Sequence, residues 1–247
     1  IKNYLLIGLS ETIIYSGHKR GIDIGYFNPI SSHLEIELNN RLNVVGNGNA
    51  NAIWQVHLDY LIAKSTRLSA NFLIDEFVFD RLIEVGKEHG SAYSLRIAYS
   101  PQLSSEKILT FFSSLHRVGT PTFRHLNGTN NFVLNSKPLG WQNGSDGKEI
   151  NFGLNILYNK IIFISFLLGS FSIGDESIIN RPYETYENYG KGSFPSGNVK
   201  DFKHASLTLH WKIKSGMLFN QSLNIFNNSE KNKQVRLSLG FDFLFFN

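Results

Sequence analysis

At 247 residues and 28.0 kDa, the chain is long enough for one large all-β domain and requires no second. It has no cysteine, which excludes a disulfide framework and thiolate metal sites. A net charge of +4 comes from basic residues that form no block or stripe, so a nucleic-acid partner is not expected.

Mean hydropathy is −0.15, and the longest apolar run is IIFISFLLG at 161–169. That run is about half of what a spanning helix needs, but suffices for a tilted membrane strand of about 9–11 residues. Twenty Phe and ten Tyr form the aromatic load expected where rings face lipid or form interface girdles. The chain starts at Ile1 without a signal peptide, so the expectation is a processed or truncated form.

In chain order, YLLIGLSETIIYSG (4–17) is strand-like, but Glu11 falls in phase with Leu5, Ile7, Leu9 and Ile13. A bulge at Glu11 or a rim position would explain it. A Gly/Asn/Pro/Ser-rich loop covers 16–51. AIWQVHLDYLI then sets Trp54, Val56, Leu58, Tyr60 and Ile62 against Gln55, His57 and Asp59. TRLSANFLIDEF (66–77), SAYSLRIAYS (91–100) and KILTFFSSLHRV (107–118) follow, the last alternating least cleanly. After a loop over 117–148 come EINFGLNILYNK, a tight Asn159-Lys160 turn, and IIFISFLLGS, apolar on both faces. Beyond a third long loop at 171–203 lie HASLTLHWKIK, MLFNQSLNIF and the closing QVRLSLGFDFLFFN. In that closing segment Val235, Leu237, Leu239, Phe241, Phe243 and Phe245 oppose Gln234, Arg236, Ser238, Gly240, Asp242 and Leu244. Strict alternation of this kind marks strands with one apolar and one polar face.

The expected fold is therefore all-β: an antiparallel transmembrane β-barrel of outer-membrane type, about ten strands in a single domain over 1–247. A soluble sandwich could use the same two-faced strands. It has no reason, however, to alternate short turns (63–66, 101–106, 159–160, 214–216) with long connections along the whole chain. If the last strand ends in the periplasm, the loops near 16–51, 117–148 and 171–203 face outward. The strand count equally fits the C-terminal part of a larger barrel.

Three stretches carry a family resemblance: SETIIYSGHKRGIDIGYFNP (10–29), FLIDEF (72–77) and GTPTFRHLNGTNNFVLNSKPLGWQNGSDGKEI (119–150). Within them the telling positions are Glu11, Tyr15 and Arg20 leading to Asn28 and Pro29, then Asp75 and Glu76, then Gly140 and Gly144. In these the chain resembles the Wzi-type capsule assembly family of Bacteroidetes-like bacteria. The resemblance implies a larger outer-membrane barrel that binds capsular or exopolysaccharide and helps hold it at the cell surface. It also implies an integral outer-membrane location among lipid and lipopolysaccharide, no enzymatic activity and no cofactor. At about ten strands the chain is short for that family.

No catalytic or phosphate-binding motif is present. His57 with Asp59, and His204 with His210, share a lumen face, a spacing ordinary for a polar lumen, so no metal site is expected. Asp75, Glu76 and Asp80 read as a solvated or Arg-paired rim. For sugar recognition the loops offer Trp141 with Gln142, Asn143 and Asp146, and Tyr183, Tyr186 and Tyr189 beside Arg181. Flat rings next to short polar groups suit ligands with both apolar faces and hydroxyls. The same aromatics could instead pack the loops together or form the outer girdle. Arg67, Arg96, Arg236, Asp59 and Asp242 are expected to brace the lumen, and a channel for small solutes is the alternative function.

Overall fold

The computed structural model describes residues 4–17, 21, 24–27, 50–76, 89–186, 192–214, 216–228 and 233–243. Five strands come first: β1 (Leu5–Tyr15), β2 (Ala50–Ala63), β3 (Thr66–Glu76), β4 (Gly90–Tyr99) and β5 (Lys107–Val118). A small hairpin, β6 (Val133–Leu134) with β7 (Lys137–Pro138), interrupts the next connection. Then come β8 (Gly147–Tyr158), β9 (Ile162–Ile173), β10 (Lys200–Lys214), β11 (Met217–Asn228) and β12 (Lys233–Phe243).

Ten of these form one antiparallel sheet in the order β1-β2-β3-β4-β5-β8-β9-β10-β11-β12. The period-two segments of the sequence are these ten strands. Each pairs with its neighbour in the chain, so the connections 119–146 and 174–199 leave from one end of the sheet and the tight turns from the other. At the Asn159-Lys160 turn both residues have positive φ (51° and 57°), the type I′ geometry whose twist matches the flanking strands. β1 and β12 are the sheet edges, and among the described residues no ladder joins them. The expected closure into a barrel is thus not among the described contacts.

The register sorts side chains into two faces. On one lie His57, Asn71 and Ser94, cross-strand partners in turn, and Arg96 with its partner Ser114. On the other lie Val56, Phe72 and Tyr93, then Leu95 opposite Leu115. This second face carries Leu237 and Leu239 at 59% and 64% exposed, and Leu95 and Leu207 at about 45%. Lys107, Arg117, Lys148, Asp201, Lys203 and Lys233 fall on it toward the strand ends. The two-sided apolar run 161–169 resolves in the same way. Ile164, Phe166 and Leu168 point outward with Leu209, Leu207 and Ala205, whereas Phe163 and Leu167 point inward.

Glu11 is the one outward carboxylate within the apolar rows of β1. The β1–β2 register runs unbroken from Leu5↔Tyr60 to Tyr15↔Ala50, so no bulge sits at Glu11. Instead Glu11 lies opposite Trp54, whose indole Nε1–H donates to its carboxylate at 2.6 Å.

The deepest burial is not in the strands. Phe132, Ile178, Asn130, Asn131, Thr122, Pro121, Asp146, Ser145 and Ser177 are the largest side chains with almost no exposure. All lie in the connections 119–146 and 174–199. Phe123, Phe132, Val133 and Ile178 pack on Ile53, Leu73, Ala92 and Val118 from β2, β3, β4 and β5. The two connections therefore fold inward and cap one end of the sheet's polar face.

Candidate functional site

The cap is held by one carboxylate. Asp146 is fully buried with φ +53°. Its Oδ1 accepts from Thr120 Oγ1 at 2.8 Å and from the Ser196 amide at 2.9 Å. Its Oδ2 accepts from Ser196 Oγ and, at 3.2 Å, from the Glu176 amide. One side chain thus ties 119–146 to 174–199 through neutral donors. Gly174 makes room for it, since a Cβ there would lie 2.1 Å from Oδ2.

Amide side chains extend the tie. Asn131 Nδ2 donates to the carbonyls of Pro182 and Glu184 at 3.2 and 2.9 Å. Asn130 Oδ1 accepts from the Ser16 amide just beyond β1, and its carbonyl accepts from Asn51 of β2 at 3.1 Å. The Asp75 carboxylate at the end of β3 takes the Phe123 amide. The Gly119 amide and the Thr122 hydroxyl, both at 2.9 Å, bond the Ser91 carbonyl of β4. The loop is therefore stitched to the end of β1 and to β2, β3 and β4, the strands that precede its own root β5 in the sheet.

Two cationic or titratable groups sit inside the cap. Arg124 is 3% exposed, donates to the Glu176 carbonyl at 2.8 Å, and lies 4.9 Å from the centre of the Tyr186 ring. Burial pulls its pKa down while Glu176, the largest opposing influence, raises it. Burial also pushes the His125 imidazole below the usual histidine value, with a smaller opposing effect of the Asn127 backbone. His125 Nδ1 accepts the Asn127 amide at 2.9 Å, so a proton on Nδ1 removes that acceptor.

Beneath the cap lies a cavity of about 900 Å³. Its walls come from β1, β2, β3, β4, β5, β8, β9, β10 and β11 together with 123–143 of the cap, so the polar face curves around a shared interior. Trp141 hangs into it. The indole Nε1 donates to Glu149 Oε2 at 2.6 Å, and Glu149 Oε1 accepts from Asn151 Nδ2 at 3.0 Å. The ring rests over Gly147, where a Cβ would stand 2.8 Å from it.

Polar rows also cross the strands, the first of them reaching the cavity wall at Asn71 and Ser94. His57 bonds Ser10 at 2.9 Å and Asn71, and Asn71 donates to Ser94 at 3.0 Å. His210, Asn220 and Asp242 form a similar row over β10 to β12. Arg67 pairs with Asp59 at 3.2 Å, and the Arg96 guanidinium sits 4.2 Å from the centre of the Phe112 ring.

The structure separates the residues singled out for sugar recognition. Trp141, Gln142 and Asn143 line the cavity. Asp146 has its carboxylate fully engaged inside the cap, and Tyr186 is buried at 7% beneath Arg124. Arg181 and Tyr183 lie on the cap surface. Arg181 faces Glu176 and Glu184 at 3.4 Å, and the Tyr183 hydroxyl accepts the Ser136 amide at 3.0 Å. Tyr189 is outside the described residues, as are Arg20, Asn28, Pro29 and Asp80.

The remaining family-motif positions have local structural work. Tyr15 stacks on Tyr26 with ring centres 4.9 Å apart, and Glu76 pairs with Gly90 across a bulge. A Cβ at Gly140 would lie 2.5 Å from the Phe123 ring, and Gly144 has φ +91°. The sequence reading overlooked Glu149, Asn151, His116 and Phe171, all cavity-lining. Of these only Asn151 has a glycine, Gly169, as a cross-strand partner, and that glycine was the usable signal. Among the described residues no group of three or more His, Asp and Glu is arranged to hold a metal. The chain matches no known family model and no curated protein.

Asp146→Ala removes the tie and is expected to lower cap stability by about 3 kcal/mol. Limited proteolysis should then cut within 174–199, where the unaltered protein resists. The His125 pKa is depressed in the folded state, so its contribution is present above the unfolded value of about 6.5 and is lost as pH falls below it. Amide exchange at Asn127 and Tyr186 should accelerate as pH falls below about 6.5, and His125→Gln should flatten that dependence.

Proposed function

We propose that this chain is an integral outer-membrane β-barrel, or the strand-rich part of one, stoppered by its own outward loops. Its role is to hold capsular or exopolysaccharide at the cell surface without catalysing a reaction. The observation that carries the membrane reading is the outer face of the sheet. From Leu5, Ile7 and Leu9 through Leu95 and Ile97 to Leu237, Leu239 and Phe241, large apolar side chains stand exposed along strand after strand. Soluble monomers rarely expose contiguous apolar patches beyond a few hundred Å². Lipid is the solvent that such a face matches, and Tyr60, Tyr99, Tyr158 and Trp211 near the short-turn end are placed as an interface girdle would be.

Support for the polysaccharide role is the resemblance to Wzi-type proteins, together with the cap. With the short turns in the periplasm, the capped end faces outward and presents Arg181 and Tyr183 among lipopolysaccharide. A solute channel is the weaker alternative, because 119–146 crosses the loop end of the interior and ties to β1, β2, β3 and β4.

Leu95→Arg separates lipid from water at the outer face. In vesicles it is expected to cost about 2–4 kcal/mol of folding free energy if Leu95 lies near the midplane. A surface substitution in water would stay within about 0.5 kcal/mol. For the cellular role, deleting the protein is expected to move surface polysaccharide into the medium. Unchanged cell-bound polysaccharide would overturn that role.

A further inference from the structure

A serine, a histidine and an asparagine line up on the polar face across β1, β2 and β3. Ser10 Oγ lies 2.9 Å from His57 Nε2, and His57 Nδ1 bonds Asn71 Oδ1. Asn71 Nδ2 donates to Ser94 Oγ at 3.0 Å, which turns the amide oxygen toward His57. That oxygen can only accept, so Nδ1 carries the imidazole proton and Nε2 is the bare nitrogen. Nε2 therefore accepts the Ser10 O–H. Each hydrogen bond in the row fixes the direction of the next.

A hydroxyl on one imidazole nitrogen and a fixed acceptor on the other are what a serine nucleophile needs. The ring removes the proton as the oxygen attacks, and the acceptor holds the ring in the tautomer that can do so. Ser10 is exposed and His57 half-buried, so a substrate can reach the hydroxyl. Gln55 stands directly opposite Ser10 in the ladder and brings a side-chain amide to the same face. Residues so opposed are about 4.5–5.5 Å apart at Cβ, which puts the Gln55 N–H within reach of an oxyanion formed at Ser10. A second row, His210 with Asn220 and Asp242, has the same His–Asn step. Among the described residues no hydroxyl bonds His210, so that row carries no nucleophile.

We infer that Ser10, His57 and Asn71 form an acyl-transfer site that hydrolyses a carboxylic ester. Ser10 Oγ attacks the ester carbonyl carbon as its proton passes to His57 Nε2. The bond from that carbon to the alcohol oxygen then breaks, and the proton leaves with the alcohol. Water attacks the acyl-Ser10 in the same way. One water proton goes to Nε2, the acid departs, and Ser10 recovers the proton. Ser10 and His57 are the catalytic residues, and Asn71 is a positioning residue. One side-chain donor at the oxyanion, in place of paired backbone amides, suits an ester over an amide, whose leaving group is poorer. Holding polysaccharide, the role proposed above, involves no reaction, and this activity is separate from it.

The test uses the full chain folded in detergent, with p-nitrophenyl butyrate as substrate and a fluorophosphonate as serine probe. The probe is expected to attach to Ser10, read by peptide mass spectrometry. Ser10→Ala and His57→Gln should each lower turnover about 100-fold or more, whereas His210→Phe should leave it unchanged. Asn71→Leu should lower turnover about tenfold, and Asn71→Asp, which keeps an acceptor against Nδ1, should restore most of it. Far-UV circular dichroism matching the unaltered chain identifies the variants that fold. No attachment at Ser10 in the folded chain, turnover that Ser10→Ala leaves intact, or Asn71→Asp as slow as Asn71→Leu would each overturn the inference.

Discussion

A ten-stranded sheet with one apolar face must put that face somewhere other than water. Burying a single Leu or Phe side chain is worth about 1.5–3 kcal/mol, and here the unburied ones recur along nearly every strand. In a sandwich a second sheet would take them, but among the described residues all ten long strands belong to one sheet. The polar face is curved around its own cavity and capped by loops, so it offers no apolar partner either. The proposed membrane location rests on that physical ground, because lipid is the surrounding such a face matches.

With the apolar side chains of the outer face exposed, the core of the described residues forms elsewhere. It forms in the connections, where Phe132 and Ile178 are sealed among Asn130, Asn131, Thr122 and Ser177. Such a core is mostly polar and depends on complete hydrogen bonding, because each buried amide or carboxylate left unmade is a penalty. Asp146 shows how this is met: its carboxylate gathers donors from Thr120, Glu176 and Ser196 and joins two loops that are far apart in sequence. Four buried side-chain polar atoms among the described residues stay without a partner, and two of them, Arg124 Nε and Asn143 Nδ2, belong to the cap itself.

The strands were legible because their signal is local. Val56, Leu58 and Tyr60 alternating with Gln55, His57 and Asp59 declare a two-faced strand without reference to any other part of the chain. The cap was not legible, since turn-rich sequence such as 119–146 looks the same whether it waves in solvent or seals an interior. Asp146 illustrates the difficulty. Beside Trp141, Gln142 and Asn143 it had the composition of a sugar site, yet its carboxylate is the fastener of the cap. Trp141 and Asn143 do reach a cavity, but Glu149, which holds the Trp141 indole, and Asn151, which holds Glu149, come from β8, and only the fold brings them together. Glu11 was ambiguous for a related reason: its partner Trp54 lies 43 residues away.

The central claim is that the outer face of the sheet meets lipid, and the absence of cysteine makes it directly measurable. Spin labels placed one at a time along 93–99 of β4, in protein reconstituted into vesicles, report access to oxygen and to a water-soluble nickel complex. At 93, 95, 97 and 99 the labels should be open to oxygen and closed to nickel, with the reverse or low access to both at 94, 96 and 98. Equal nickel access at both sets, or a chain that stays monomeric in water without lipid or detergent, would contradict it.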